Sequence, residues 1–147
     1  MIYVAADPGS ASGAIAAITP SGLVVHNMPE TQKDILDLFK SLCFSEDGKS
    51  FAILEQVHSM PKQGVASSFR FGQNFGHLEM ALLAAEIPYE LATPQKWMKA
   101  LGCMTGGDKT ITHTFAQKLF PKNKITKRQA DAVCMAVYCQ RKHTGTL

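Results

Sequence analysis

Three carboxylates stand where they could do chemistry together. Asp7 ends the apolar run Ile2-Tyr3-Val4-Ala5-Ala6, and Glu55 ends Phe51-Ala52-Ile53-Leu54. Asp131 lies in Gln129-Ala130-Asp131-Ala132, near the start of a segment rich in small and apolar residues. Carboxylates crowded at one place repel one another unless a proton or a cation stands between them. Magnesium and manganese favour such oxygen ligands and hold phosphates as well. Two such ions about 3.5–4 Å apart can activate water and stabilise the leaving oxygen of a phosphodiester. Taken singly, each acid reads as a solvated or cap-forming residue. Two acids at strand ends and a third in an alanine-rich helix weaken that reading without removing it, and metal-assisted phosphoryl chemistry stands beside it.

The elements that must position them follow from local pattern. Residues 2–6, 14–18 and 23–26 read as strands separated by the turns Asp7-Pro8-Gly9-Ser10 and Thr19-Pro20-Ser21-Gly22, an antiparallel meander. Thr31 caps a helix to about Cys43, with Ile35, Leu36, Leu38, Phe39 and Leu42 as its apolar stripe. Residues 45–50 read as loop and 51–54 as a buried strand. The stretch from His58 to Gln73, with Pro61, Gly64 and Gly72, reads as a loop leading into a helix through about Ala85. Tyr89 to Ala92 is a fifth strand, and Thr93-Pro94 opens a short helix containing Trp97 and Leu101. Asp108 and Thr126 cap two further helices, to about Phe120 and about Arg141. The order βββ-α-β-α-β-α-α-α predicts an α/β fold, a mixed five-stranded sheet flanked by helices in a single domain over 1–147. A helical crossover makes the first and fourth strands parallel neighbours, so Asp7 and Glu55 should share one edge, where open α/β sheets bind their ligands.

Composition narrows the function classes. The 147 residues are 46% hydrophobic and 18% charged with a net charge of +3, as in a soluble globular domain. No apolar run is long enough to cross a bilayer, and Asp7 interrupts any signal-peptide core, which leaves a cytoplasmic setting as the expectation. Cys43, Cys103, Cys134 and Cys139 form no CxxC pair and no zinc-site spacing, and read as reduced thiols. The charge is uneven. Residues 1–95 carry 5 basic and 10 acidic side chains, whereas residues 96–147 carry 10 basic and 2 acidic, a net of −5 against +8. A one-sided basic segment is either a footprint for phosphates or a set of solvated helix faces.

Several motifs together make the chain recognisable. Asp7-Pro8-Gly9 with Ser12-Gly13, Leu54-Glu55-Gln56-Val57 and Ala130-Asp131-Ala132 resemble those of RuvC-like Holliday-junction resolvases. Met60-Pro61-Lys62-Gln63-Gly64-Val65, Thr93-Pro94-Gln95-Lys96-Trp97 and Lys118-Leu119-Phe120-Pro121 look like the small branch carried by bacteriophages and mobile elements. The resemblance runs from Asp7 to about Arg141. It implies an RNase H-like fold, a homodimer, and metal-dependent cutting of branched DNA in a bacterial host cytoplasm. It also implies Asp7, Glu55 and Asp131 as catalytic metal ligands for Mg2+ or Mn2+, with two ions in each site.

Two departures stand out. Many family members carry an acid or histidine one turn before the aspartate matched by Asp131, where this chain has Arg128, which cannot bind a metal ion. Asp108 is the nearest candidate for a fourth ligand, or else only a helix cap. Some members place an aromatic wedge just after the Glu-Gln-Val motif, where this chain has His58; Phe69 and Phe71 could stack on bases instead. Lys109 matches a lysine that leads a helix in the family. It reads either as a contact to the scissile phosphate or as a solvated side chain. Lys62, Arg70, Lys122, Lys124, Lys127 and Arg128 are candidates for DNA backbone contacts, which position DNA without reading its sequence. Binding through them should weaken steeply with salt.

Other functions compete with this one. A catalytically inactive junction-binding protein would explain Arg128, and an RNase H-like nuclease acting on RNA shares the fold. Residues 7–13 also fit the phosphate hairpin of actin-like ATPases, but those enclose a nucleotide between two such domains and this length supplies one. No nucleotide cofactor, zinc or membrane partner is therefore expected.

Overall fold

Short apolar runs buried on both faces build the centre of the sheet. In a computed structural model that describes residues 1–44, 47–58 and 62–147, five strands form one sheet in the order β3-β2-β1-β4-β5. They are β1 (Ile2–Asp7), β2 (Ala14–Thr19), β3 (Gly22–Asn27), β4 (Ser50–Glu55) and β5 (Tyr89–Ala92). β1, β2 and β3 are antiparallel, with Asp7 opposite Ala14 and Ala14 opposite Asn27. β4 runs parallel to β1 with Ala6 opposite Leu54, and β5 parallel to β4 with Glu55 opposite Ala92. This is the expected mixed sheet.

Among the described residues five helices flank it: α1 (Gln32–Leu42), α2 (Val65–Ala84), α3 (Pro94–Leu101), α4 (Lys109–Leu119) and α5 (Lys127–Thr144). One core lies between the sheet and α1 with α2, built on Val4, Ile15, Phe39, Leu54 and Leu78. The other lies between the sheet and α3, α4 and α5, built on Ala5, Ala16, Ile53, Trp97 and Met135. The alanines of β1 and β2 leave room for α5, buried from Ala130 to Cys139, to approach the sheet closely. The four cysteines are free thiols. No helix among the described residues is long and apolar enough to cross a membrane.

One boundary differs from expectation. The predicted loop over 58–73 ends at Gly64, because α2 begins at Val65. Gly72 and Gly76, which weaken a helix in isolation, sit on its exposed side. Buried Asn74, Leu78, Ala81 and Leu82 fasten the opposite side to the sheet, so packing overrides propensity. Residues 45–46, in the predicted 45–50 loop, and 59–61, including the Met60-Pro61 motif, lie outside the described residues.

Candidate active site

The parallel pairing of β1 with β4 sets the site. Asp7 follows Ala6 and Glu55 follows Leu54, a paired couple, so the two acids leave neighbouring strands at the same edge. The third acid arrives on α5. This helix starts beside that edge, where Gln129 Nε2 donates to Asn27 Oδ1 at 3.2 Å, and its far end meets β4, where the Cys139 thiol donates to Phe51 O at 3.6 Å. Asp131, just over one turn into α5, is therefore held at the carboxyl ends of the central strands.

The turn carrying Asp7 is fixed from three sides. Gly13 N donates to Gly9 O at 2.9 Å, closing the loop on itself. Gly9 N donates to the buried Asn74 Oδ1 of α2 at 2.8 Å, and Arg128 Nε of α5 donates to Gly13 O at 3.0 Å. Gly13 has to be glycine, because a Cβ there would lie 2.2 Å from Asp7 O and 2.6 Å from Gly9 O.

Glu55 and Asp131 are each held by a named partner. Thr93 caps α3, accepting from Lys96 N at 3.3 Å, and Pro94 occupies its first turn. The helix thereby returns the buried Trp97 to the edge of the sheet, where its indole Nε1 donates to Glu55 Oε2 at 2.8 Å. Lys109, at the start of α4, lies 3.4 Å from Asp131 Oδ2. The other Asp131 oxygen, Oδ1, is buried with no hydrogen-bond partner among the described residues. A buried carboxylate oxygen ordinarily finds a donor, so this one marks a place for a cation or a proton.

Electrostatics agree. Burial, followed by the charges of Glu55 and Asp131, holds Asp7 well above the ordinary carboxylate range, with Lys109 opposing. Burial pushes Glu55 up to about 7, against the Trp97 hydrogen bond, and the charge of Asp131 adds to the rise. Partial burial pulls Lys109 down, but the charges of Asp131, Asp7 and Glu55 more than offset this and raise it. Among the described residues, no three His, Cys, Asp or Glu side chains already form a closed metal cage. The charges of Glu55 and Asp131 nevertheless reach Asp7, and that of Asp131 reaches Glu55. The two facts are compatible, because Glu55 is turned to Trp97 and Asp131 to Lys109. The oxygen donor set, the orphaned Oδ1 and the raised carboxyls all fit a hard divalent cation.

The remaining candidates fall in different places. Asp108 is not brought to the three acids. It is exposed and caps α4, accepting from Thr110 N at 2.9 Å and Thr110 Oγ1 at 2.6 Å, which holds its carboxyl below the usual range. Arg128 directs Nε at the Asp7 turn. Lys127 is exposed one residue before it, close enough for its charge to lower Asp108. Lys122 lines a cleft with Ser21 and Leu23 at the β2–β3 turn, the end of the sheet away from Asp7. Lys124 is exposed in the segment returning from that end, and Lys62 is exposed before α2. Arg70 lines a cleft beside Ser10 and Ser12. Sequence reasoning missed Asn74 and the Trp97–Glu55 bond. The only signal for either was a polar residue on the inner side of a helix and a lone tryptophan after a cap.

The strand order, the parallel β1–β4–β5 half and the flanking helices define the RNase H-like α/β fold in its RuvC-like form. Among the solved structures it matches are two of RuvC. Thermus thermophilus RuvC superposes with a TM-score of 0.70 at 17% identity, covering 99% of this chain and 98% of that one. T. thermophilus RuvC in complex with a Holliday junction substrate gives 0.69 at 15% identity with the same coverage. No protein-family model matches this chain, and no curated protein matches it in sequence.

Proposed function

We propose that this chain is a metal-dependent, structure-selective endodeoxyribonuclease that cuts four-way (Holliday) and related branched DNA. The observation that carries the reading is the convergence of Asp7, Glu55 and Asp131 at the carboxyl ends of β1 and β4, with Asp131 Oδ1 buried and without a partner among the described residues. The RuvC-like fold and the bound junction in one of its structural neighbours support the substrate class.

In this reading Asp7, Glu55 and Asp131 hold Mg2+ or Mn2+, two ions in a complete site. Such ions activate water and stabilise the charge that develops on the phosphodiester oxygens. The protein supplies position. Asn74 and Arg128 hold the turn that aims Asp7, Trp97 orients Glu55, and Lys109 offers a cation beside Asp131 toward a bound phosphate. Lys62, Arg70 and Lys127 steady the DNA backbone near this edge, and Lys122 and Lys124 meet a strand farther along.

Two copies would make paired cuts across a junction. The exposed side of α2 fits a second copy of the chain. Val65, Phe69, Met80 and Leu83 are exposed along one stripe, and Gly72 and Gly76 lie at its centre, where a Cβ would meet none of the described residues. Small residues in the middle of an apolar stripe let two helices approach closely.

One observation favours a second reading. Arg128 and Asp108 are engaged elsewhere, which leaves three carboxylates at the edge, as a junction-binding protein without cleavage activity would tolerate. The test is cleavage of four-way junction, duplex, single-stranded DNA and RNA–DNA hybrid with Mg2+ or Mn2+. Nicking confined to branched DNA is expected. Tight junction binding with no cleavage under either ion would favour the second reading, and preference for the hybrid would favour an RNA-directed nuclease.

A further inference from the structure

A pair of thiols sits where the helices that position the acids come together. Cys134 follows Asp131 by one turn of α5, and Cys103 is the second residue after α3. Both are buried in the core between the sheet and α3, α4 and α5. Their side chains share a hydrogen bond, and both feel the charge of Asp131. Cys43 and Cys139 meet other groups, the Ser50 side chain and Phe51 O.

Each thiol is joined to a different arm of the site. The Cys134 thiol donates to Thr112 O of α4 at 3.5 Å. Thr112 Oγ1 in turn donates to Lys109 O at 3.3 Å, in the turn that sets Lys109 3.4 Å from Asp131. The Cys103 backbone N donates to Met98 O at 2.9 Å, next to Trp97, whose indole holds Glu55. The pair therefore links α3, α4 and α5, and with them the settings of Glu55, Lys109 and Asp131.

We propose that Cys103 and Cys134 form a modification site, a dithiol that peroxides oxidise to a disulfide and whose oxidation slows the cut. The roles follow from the surroundings. The bond from Cys134 pulls the Cys103 thiol below its ordinary value, against burial and the charge of Asp131. Cys103 is thus the thiol that ionises and attacks first. It also lies in the irregular segment 102–108, where Met104, Gly106 and Gly107 are exposed, so local opening of that segment admits a small oxidant. The Cys103 thiolate attacks one peroxide oxygen and the O–O bond breaks, leaving a sulfenic acid. The hydroxide released takes up the proton that Cys103 lost and becomes water. The Cys134 sulfur then attacks the sulfenic sulfur, the S–O bond breaks, and hydroxide departs with the Cys134 proton as a second water. Two thiols lose two electrons and the peroxide gains them.

The disulfide changes both arms. It has no proton for Thr112 O, so α4 loses that tie to α5. It brings the sulfurs to about 2.05 Å. Because α5 is buried and held on all sides, the segment after α3 moves toward it and draws on the turn that carries Trp97. A displacement of about 1 Å at positioning groups costs up to about a hundredfold in rate. The effect on cutting rests on the nuclease reading above; the disulfide itself does not.

The test treats the chain with hydrogen peroxide, alkylates the remaining thiols and maps the peptides. A Cys103–Cys134 link is expected, with Cys43 and Cys139 alkylated. Emission from Trp97, the single tryptophan, should change on oxidation and return with dithiothreitol. Junction cleavage in Mg2+ should fall by about tenfold or more and recover with dithiothreitol. Cys103→Ser should cut at the wild-type rate before and after peroxide, and Cys103→Ala takes its place where serine disturbs the core. Free thiols at both positions, or a link through another cysteine, overturn the site. A formed disulfide with unchanged emission and cleavage overturns its effect on the cut. A reduced protein that does not cut junctions overturns the nuclease reading, while the mapped link and Trp97 emission still decide the site.

Discussion

Glu55→Gln should stabilise the metal-free protein while disabling it. Burial holds Glu55 at about 7 against an ordinary 4.5. A group whose folded-state value is raised binds its proton more tightly when folded, so folding is favoured at low pH and stability falls as pH rises from about 4.5 to about 7. At pH 8 that loss is complete. The rise is worth about 3 kcal/mol at 1.36 kcal/mol per unit, and partial exposure of the side chain brings the expected value to about 2–3 kcal/mol. Glutamine is neutral throughout, and its carbonyl can still accept from the Trp97 indole. Removing the charge also relieves Asp7, which Glu55 raises. The variant should therefore melt about 5–10 °C above wild type at pH 8 in EDTA, with the gap narrowing to a few degrees at pH 5. Adding Mg2+ or Mn2+ should raise the wild-type melting temperature and leave the variant nearly unmoved. Differential scanning calorimetry across pH is the assay. A variant less stable than wild type at pH 8, or a gap independent of pH, would refute the account of charge crowding at this edge.

Two other substitutions probe the scaffold. Gly13→Ala drives a Cβ into Asp7 O and Gly9 O; urea unfolding should show a loss of about 2–3 kcal/mol, and cleavage should fall with it. Leu83→Glu, on the exposed stripe of α2, should turn a dimer into a monomer in sedimentation velocity without changing the far-UV spectrum, and an unchanged dimer would move the interface elsewhere.

Much of the scaffold is legible in the chain, for physical reasons. β1 and β4 are short apolar runs ending in acids, and the helical crossover between them dictates parallel pairing, so the neighbourhood of Asp7 and Glu55 follows from sequence alone. Thr31, Thr93, Asp108 and Thr126 mark helix starts because each is a capping residue before a periodic apolar pattern. The start of α2 is hidden, since Phe-Gly-Gln-Asn-Phe-Gly reads as loop until its inner side is packed. Long-range bonds are hidden too. Arg128 to Gly13 spans 115 positions and Asn74 to Gly9 spans 65, and no local pattern encodes either. The consequence for the site is specific: Arg128 looks like a missing metal ligand or a phosphate contact, and in the fold it braces the turn that aims Asp7.

The most direct test of the central claim is cleavage of a synthetic four-way junction in Mg2+ or Mn2+ by wild type and Asp7→Asn, with binding measured in parallel by gel shift. The wild type should nick the junction, and Asp7→Asn should bind it with unchanged affinity and leave it intact. An Asp7→Asn protein that cuts at the wild-type rate would contradict the assignment of this edge as the active site.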